Sequence, residues 1–264
     1  MRRVVLRIAA MALLFGLAPV TTAGCNFCPC IHTPDPNWTP EPISAPVAAN
    51  DAAKVAGVPD MTAMLTAGAG GRQFYRATAP NTVAFVDALS GIVVEVVLLD
   101  RMPSDATVSA APELADTAAR TFMLRTGLDT QGLAVSVQQV RKAGVAAYDV
   151  EWAQLGTGGG PKSAVYVNAS TGAVFAYLDL RMQLSVTAPL VGQTRATELA
   201  ISALGVPGEQ VTSADLAIDF ATGSQTSAWE IGLGVPTATQ ADVFEHGARV
   251  RVDAVTGDAT IVKS

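Results

Sequence analysis

A six-residue sequence that occurs three times constrains the fold of this chain more than any other feature. The copies lie 81 residues apart from Asp87 to Asn168 and 85 residues apart from Asn168 to Asp253. They read Val-Asp-Ala-Leu-Ser-Gly at 86–91, Val-Asn-Ala-Ser-Thr-Gly at 167–172 and Val-Asp-Ala-Val-Thr-Gly at 252–257. A nearly constant spacing of this kind indicates repeated structural units.

The chemistry of the hexapeptide predicts a hairpin turn in each copy. The Asp or Asn side chain accepts hydrogen bonds from backbone N–H groups just ahead of it in the chain. The final glycine supplies a backbone conformation that a residue with a Cβ reaches only at a cost. A short apolar stretch precedes and follows each copy, as expected of the two strands of a hairpin. The predicted structural turn residues are Asp87, Gly91, Asn168, Gly172, Asp253 and Gly257.

Residues 1–24 have the features of a signal peptide. Three arginines within the first seven residues precede an apolar stretch at 8–20, and small residues follow at 21–24. The apolar stretch is too short to span a bilayer, which favours a cleaved signal over a retained helix. Residues 23–25, Ala-Gly-Cys, resemble the lipobox of bacterial lipoproteins, with Thr22 where Leu is usual. The resemblance implies that Cys25 is acylated, by palmitate or a similar chain, and anchors the protein on the extracytoplasmic side of a membrane.

Residues 25–49 are predicted to be a lipid-anchored, proline-rich tether. Five prolines between 34 and 46, with little apolar periodicity, favour an extended spacer over a packed core. The tether also carries Cys28, Cys30 and His32, which with Cys25 have ligand types that suit zinc. Acylation would remove Cys25 as a ligand, and exported thiols are readily oxidised. A Cys28–Cys30 bridge, a contact with another chain and a metal-binding lipoprotein using Cys28, Cys30 and His32 remain alternatives.

The amino-acid composition is typical of a folded protein with an acidic net charge. Half of the chain is apolar and 15% is charged, which excludes general disorder. Cleavage after residue 24 removes three arginines and no acid, so the net charge changes from −6 to −9. Nucleic acid and anionic lipid are therefore excluded as expected partners, because binding to either depends on basic patches.

Two segments repeat the order of one helix followed by four antiparallel strands. In 189–264, a helix at 194–204 ends before Gly205, and strands follow at 216–220, 229–233, 249–253 and 259–263. In 103–188, a helix at 112–125 ends before Gly127, and strands follow at 135–137, 148–152, 165–167 and 174–180.

A first unit at 50–102 is divergent. It has strands at 74–77, 83–86 and 92–99, but Gly57 and Pro59 interrupt any long helix at 50–66. One helix covering one apolar sheet face gives the predicted class, α+β. Units of this size bury too little surface to be stable alone, so we expect them to pack together or share sheet edges.

The pattern of helix, strands, aromatic-bearing strand and Val-Asp-Ala-x-Thr-Gly turn resembles the PepSY domain. The matching residues are 229–233 with 251–257, and 148–152 with 166–172. PepSY domains occur in the propeptides of secreted metallopeptidases and in related envelope proteins. The resemblance covers 103–264, and 50–102 more weakly. It implies a non-catalytic module without a cofactor, which in some members inhibits a peptidase or assists its folding.

The residues that enzymes most often use are sparse. His32 and His246 are the only histidines, and His246 is predicted to lie in a polar loop before a strand. Neither lies in a recognisable Ser–His or Cys–His arrangement. A carboxylate-based envelope hydrolase remains the alternative. The candidate acids for such a hydrolase occupy alternate strand positions that are predicted to face solvent. They are Asp149, Glu151, Asp219 and Glu230.

Aromatic side chains on the strands are predicted to be core residues and not the lining of a groove. They are Phe74, Tyr75, Tyr148, Trp152, Phe175, Tyr177 and Trp229. The sequence therefore predicts a non-catalytic lipoprotein of the bacterial envelope that acts through protein–protein interaction. Its unknown protein partner is expected to be a peptidase or another envelope protein.

Overall fold

Helix followed by four strands occurs three times in the part of the chain that the computed structural model describes. The first set is α1 (Ala45–Ala56), β1 (Thr62–Ala67), β2 (Gln73–Ala79), β3 (Thr82–Asp87) and β4 (Val93–Leu98). The second is α2 (Pro112–Thr126), β5 (Leu133–Lys142), β6 (Val145–Gln154), β7 (Pro161–Asn168) and β8 (Val174–Asp179). The third is α3 (Gln193–Leu204), β9 (Gln210–Ala221), β10 (Ser224–Pro236), β11 (Phe244–Asp253) and β12 (Ala259–Val262).

The structure describes residues 41–67, 72–154, 161–182, 187–205, 210–221, 224–236 and 244–262. Cys25, Cys28, Cys30 and His32 lie outside these ranges, as do the predicted signal peptide and most of the predicted tether. Among the described helices, none has the length and apolar character needed to cross a membrane.

The first two sets form one antiparallel sheet of eight strands, in the order β1-β2-β3-β4-β8-β7-β6-β5. The two halves meet where β4 pairs with β8, with Val96 opposite Tyr177. The third set forms a separate four-stranded sheet in the order β12-β11-β10-β9. Edge sharing, one of the two arrangements expected from the sequence, therefore joins the first two sets, and the third is attached through side-chain packing. The α+β class is observed.

Helices α1 and α2 cover one face of the eight-stranded sheet. Their sheet-facing positions carry alanines, and Ala48, Ala52, Ala115 and Ala119 are each fully buried. Small side chains at these positions let the helix axes lie close to the strands beneath. The core under both helices is continuous, because residues of α1, α2 and both halves of the sheet belong to one apolar cluster.

The third set covers the other face of the eight-stranded sheet. Phe175 and Leu178 of β8 belong to one apolar cluster with Trp229 and Ile231 of β10. Burying large side chains such as these contributes about 1.5–3 kcal/mol each.

Two hydrogen bonds add to this packing. Arg195 Nε of α3 donates to the Ala143 carbonyl at 3.1 Å, and Arg76 Nη2 of β2 donates to the Leu216 carbonyl at 3.5 Å.

The predicted end of the tether at residue 49 is wrong. Helix α1 begins at Ala45, and the Ile43 N–H already donates to the Ala88 carbonyl at 2.7 Å. Pro46 does not prevent the helix, because a proline in the first helical turn removes an N–H that has no helical partner. Gly57 does end it, with φ of 70° and an N–H donated to the Ala53 carbonyl at 2.8 Å.

The predicted loop at His246 is also wrong. Strand β11 begins at Phe244, and its first residues pair with the end of β10, where Glu245 lies opposite Val235. The polar sequence at 245–247 therefore forms a strand because a long partner strand is available to it. A register shift between Leu233 and Val235 marks where the pairing becomes irregular.

Candidate functional site

The three hexapeptides form the same corner, between the third and fourth strands of each set. In the first corner, Asp87 Oδ1 accepts hydrogen bonds from the N–H of Leu89 at 3.2 Å and of Ser90 at 2.8 Å. The Gly91 N–H donates to the Asp87 carbonyl at 2.9 Å, and Gly91 has φ of 72°. The same bonds and a positive glycine φ occur at Asn168 with Gly172 and at Asp253 with Gly257.

The alanine after the Asx residue ties each corner to the chain just before the helix. In the third set, the Ala254 carbonyl accepts hydrogen bonds from the N–H groups of Leu190 and Val191, both at 2.8 Å. The indole N–H of Trp229 donates to the Val191 carbonyl at 2.7 Å. Corresponding bonds join Ala88, Ile43 and the Tyr75 hydroxyl in the first set, and Ala169, Ala110 and the Tyr148 hydroxyl in the second.

These corners therefore have a structural role, because their polar atoms form hydrogen bonds within the chain. The Asp87 carboxylate shows this most clearly. Burial opposes its ionisation, but hydrogen bonds from the backbone and hydroxyl of Ser90 and from Arg72, at 2.9 Å, outweigh that effect. The pKa of Asp87 consequently lies below its ordinary value.

The strand aromatics are buried, as predicted, but two of them, Trp152 and Tyr177, also line surface pockets. All seven are buried: Phe74, Tyr75, Tyr148, Trp152, Phe175, Tyr177 and Trp229. Three of these aromatic side chains form hydrogen bonds through their polar atoms. The hydroxyls of Tyr75 and Tyr148 and the indole N–H of Trp229 donate to backbone carbonyls.

The predicted solvated face of acids is wrong at Asp149. Glu230 is exposed, but Asp149 is half-buried on β6, and no described residue donates a hydrogen bond to its Oδ1. Burial, with the neighbouring Glu151 charge, raises the pKa of Asp149 to about 6, although a hydrogen bond with the Tyr166 hydroxyl opposes the rise. The same surroundings raise the pKa of Tyr166. The side chain of Asp219 lies outside the described residues.

A polar cleft of about 230 Å³ lies where the first two sets meet, and we name it the junction cleft. It is lined by the last turns of α1 and α2, the first corner and the end of β8. Its charged and hydroxyl-bearing side chains include Asp51, Lys54, Arg125, Tyr177, Asp179 and Arg181. No pattern in the sequence predicts this cleft, because its residues come from four separated segments of the chain.

Within the junction cleft, Asp179 and Arg181 form an oriented ion pair. Arg181 Nε donates to Asp179 Oδ1 at 3.0 Å, and Nη2 donates to Oδ2 at 2.5 Å. This hydrogen bonding with Asp179 raises the pKa of Arg181, so the guanidinium stays charged. Burial, with the nearby Asp179 charge, raises the pKa of Tyr177, which keeps its hydroxyl protonated. The pair and the hydroxyl form a fixed polar wall of the cleft.

A notch of about 400 Å³ lies at the end of α2, and its lining combines apolar side chains with Arg120, Asp129 and Thr130. Met123, Leu128 and the buried Trp152 line it, and Leu124 at its rim is 85% exposed. Val135 of β5 lies opposite Trp152 in the sheet, so the notch adjoins the first half of β5.

Among the described residues, no group of three or more His, Cys, Asp or Glu side chains could hold a metal ion. The metal ligands considered in the sequence, Cys28, Cys30 and His32, fall outside those residues.

No family model and no curated protein sequence matches the chain. Among solved structures, the chain is similar to the Bacillus megaterium YpeB C-terminal domain, with a TM-score of 0.40 and 12% sequence identity. The alignment covers 85% of this chain and 100% of that one. At that TM-score the likeness carries no inference about function, so any functional assignment depends on the surfaces described above.

Proposed function

We propose that this protein is a non-catalytic lipoprotein of the bacterial envelope that binds another envelope protein, with a peptidase as the expected partner. The proposal includes an acylated Cys25, a short tether and three PepSY-like units. The unit boundaries 50–102, 103–188 and 189–264 remain predictions, with the first unit extended backwards to include α1.

The recurrent corner contacts support the three-unit interpretation. In each set, a carbonyl two residues before the helix accepts a hydrogen bond from an aromatic side chain of the second strand. In each set, the alanine of the corner accepts an N–H from the same short segment. Structurally unrelated segments would not be expected to form the same hydrogen bonds in the same order along the chain.

The binding role is supported by the position of β5 at an edge of the eight-stranded sheet, where no strand of the described residues pairs with its outer side. This strand of ten residues ends the eight-stranded sheet, and its first five residues, Leu-Ala-Val-Ser-Val, carry no charge. Edge strands that avoid association usually carry charges along their length, and β5 has them only in its second half. An extended segment of a partner pairing with the first half would place an apolar side chain in the notch beside Leu124 and Trp152.

A site-specific crosslinking experiment tests the binding role. A photoreactive amino acid replaces Leu124 in the lipid-anchored chain, in the cells that make it, and adducts are identified by mass spectrometry. The matched control position is Val47, an exposed aliphatic residue on α1. We expect a defined protein adduct at 124 and none at 47. Equal labelling at both positions, or no protein adduct at 124, would contradict the proposal.

A second measurement addresses the peptidase. If the adduct contains a peptidase, the purified chain should lower its activity. Leu124→Glu should abolish that inhibition while Val47→Glu retains it, because both residues are exposed and only Leu124 borders the notch. An effect that survives Leu124→Glu would place the inhibitory surface elsewhere.

The proposed anchor has its own test. Mass spectrometry of the mature N-terminus should find a diacylated or triacylated Cys25 as the first residue. An unmodified N-terminus at any position would leave a secreted protein without this anchor.

A further inference from the structure

The junction cleft gathers positive charge in a protein that is acidic overall. Lys54, Arg125 and Arg181 line it together with two acids, Asp51 and Asp179, whereas the whole chain has a net charge of −6. The five charges sum to one positive charge. The single negative charge of Asp179 is balanced by Arg181, whose Nε and Nη2 bind its two carboxylate oxygens.

Lys54 and Arg125 have no ion pair within 4.0 Å to an acid of the described chain, whereas four other arginines do. Each lies in the last turn of its helix, where a cation favourably meets the negative end of the helix dipole. The helix dipole accounts for a basic residue at the end of each helix. It does not explain why Lys54 and Arg125 line the same cleft as Arg181, which follows a strand and not a helix.

The Arg125 guanidinium lies beside Gly57 and Phe122. Its Nη1 lies so close to Gly57 that a Cβ at position 57 would overlap it, and its Cζ lies 5.9 Å from the centre of the Phe122 ring. The side chain of Arg125 is exposed, so its planar guanidinium, which matches the geometry of a carboxylate, is accessible to a ligand. The Arg181 fork is fixed by Asp179, so one of the three cations is pre-oriented.

We propose that the junction cleft binds an acidic side chain of the protein partner through Arg125, Lys54 and Arg181. This deepens the proposed function and depends on it, because it assigns a chemical feature to that partner. Arg125 is the main contact, Lys54 contributes charge, and Arg181 closes the site opposite them. The cleft is on the helix-bearing side of the sheet seam, separate from the notch at β5.

Isoleucine methyl NMR on the detergent-solubilised full chain provides the test, because Ile92 lines the cleft and Ile261 is exposed on the other sheet. The probes are acetyl-Glu-Glu-amide, its neutral counterpart acetyl-Gln-Gln-amide, and inorganic phosphate. We expect the Glu peptide to shift the Ile92 methyl signal saturably and to leave Ile261 unchanged. The Gln peptide should shift neither.

Variants of exposed residues assign the contact. Arg125→Gln should weaken binding of the Glu peptide at least fivefold, and adding Lys54→Gln should weaken it further. The control is Arg101→Gln, because Arg101 is an exposed arginine that lines neither the junction cleft nor the notch. It should leave the affinity unchanged.

An Ile92 signal that does not move, an equal response to the Gln peptide, or equal affinity in Arg125→Gln would overturn the inference. Phosphate binding as tightly as the Glu peptide would also overturn it, since the cleft would then be a site for a free oxyanion. Failure here would leave the crosslinking result at position 124 intact. Peptide binding without any adduct at 124 would instead uphold the cleft and contradict the proposed surface at β5.

Discussion

At the scale of single residues, the corner glycines differ in what surrounds them, although all three have a positive φ. A Cβ at Gly91 would meet its nearest neighbour at 3.6 Å, an ordinary contact. A Cβ at Gly257 would lie 2.7 Å from the Cβ of Ala143, in the hairpin between β5 and β6. The Gly257 corner therefore touches the eight-stranded sheet closely.

Alanine substitutions should reveal this difference. We expect Gly91→Ala to lower the free energy of unfolding by about 1–2 kcal/mol, the cost of a left-handed backbone at a residue with a Cβ. Gly257→Ala should lower it by more, because the overlap with Ala143 adds to the same backbone cost. Urea denaturation of both variants measures the difference, and equal losses would show that the close approach to Ala143 relaxes freely.

Asp149 makes stability depend on pH. Its folded pKa of about 6 lies above its ordinary value of 3.8, so folding favours the protonated carboxyl. The favourable contribution is complete below pH 4, is lost as the pH rises to about 6 and is absent above that. Asp149→Asn removes this loss, so the variant should gain about 1–3 kcal/mol over the natural chain between pH 3.5 and 7.

This prediction is checked by measuring the free energy of unfolding of the variant and of the natural chain at each pH. Taking the difference between the two removes the contributions of the other titrating groups. A flat difference for Asp149→Asn would mean that the Asp149 carboxyl remains solvated.

At the scale of elements, the sequence predicted the helices whose first or last residues include a proline or glycine that marks the helix end. Helix α2 begins at Pro112 and ends before Gly127, and α3 ends before Gly205, so local signals agree with the structure. Helix α1 was misplaced because its first turn lies within a run of prolines. Strand β1 was missed because its six residues, Thr-Ala-Met-Leu-Thr-Ala, show no two-residue alternation.

The corners were predictable for a physical reason and the candidate sites were not. An Asx turn closed by glycine is made within six consecutive residues, so its chemistry is visible in the sequence. The junction cleft depends on the pairing of β4 with β8, a contact between residues about 80 positions apart. The burial of Asp149 likewise depends on what surrounds the strand and not on its own alternation.

At the scale of the whole molecule, the third set closes a face that the first two leave apolar. Val97, Tyr166, Phe175 and Leu178 of the eight-stranded sheet are buried in a cluster shared with the third set. Without residues 189–264 these side chains would face water. Apolar patches of this kind on a sheet promote self-association or loss of structure.

A chain that ends after residue 188 should therefore bind the dye ANS, associate in light scattering and melt at a lower temperature than the natural chain. The expected cause is exposure of Phe175 and Leu178, so replacing both with Thr in the shortened chain should reduce dye binding and association. The same double substitution in the full chain should instead destabilise it, because both side chains are buried there. A shortened chain that stays monomeric, binds no dye and melts like the natural protein would show that the eight-stranded sheet does not need its third partner. The eight-stranded sheet and the third set would then be independent in stability, and the packing between the two sheets would serve only to fix their relative position.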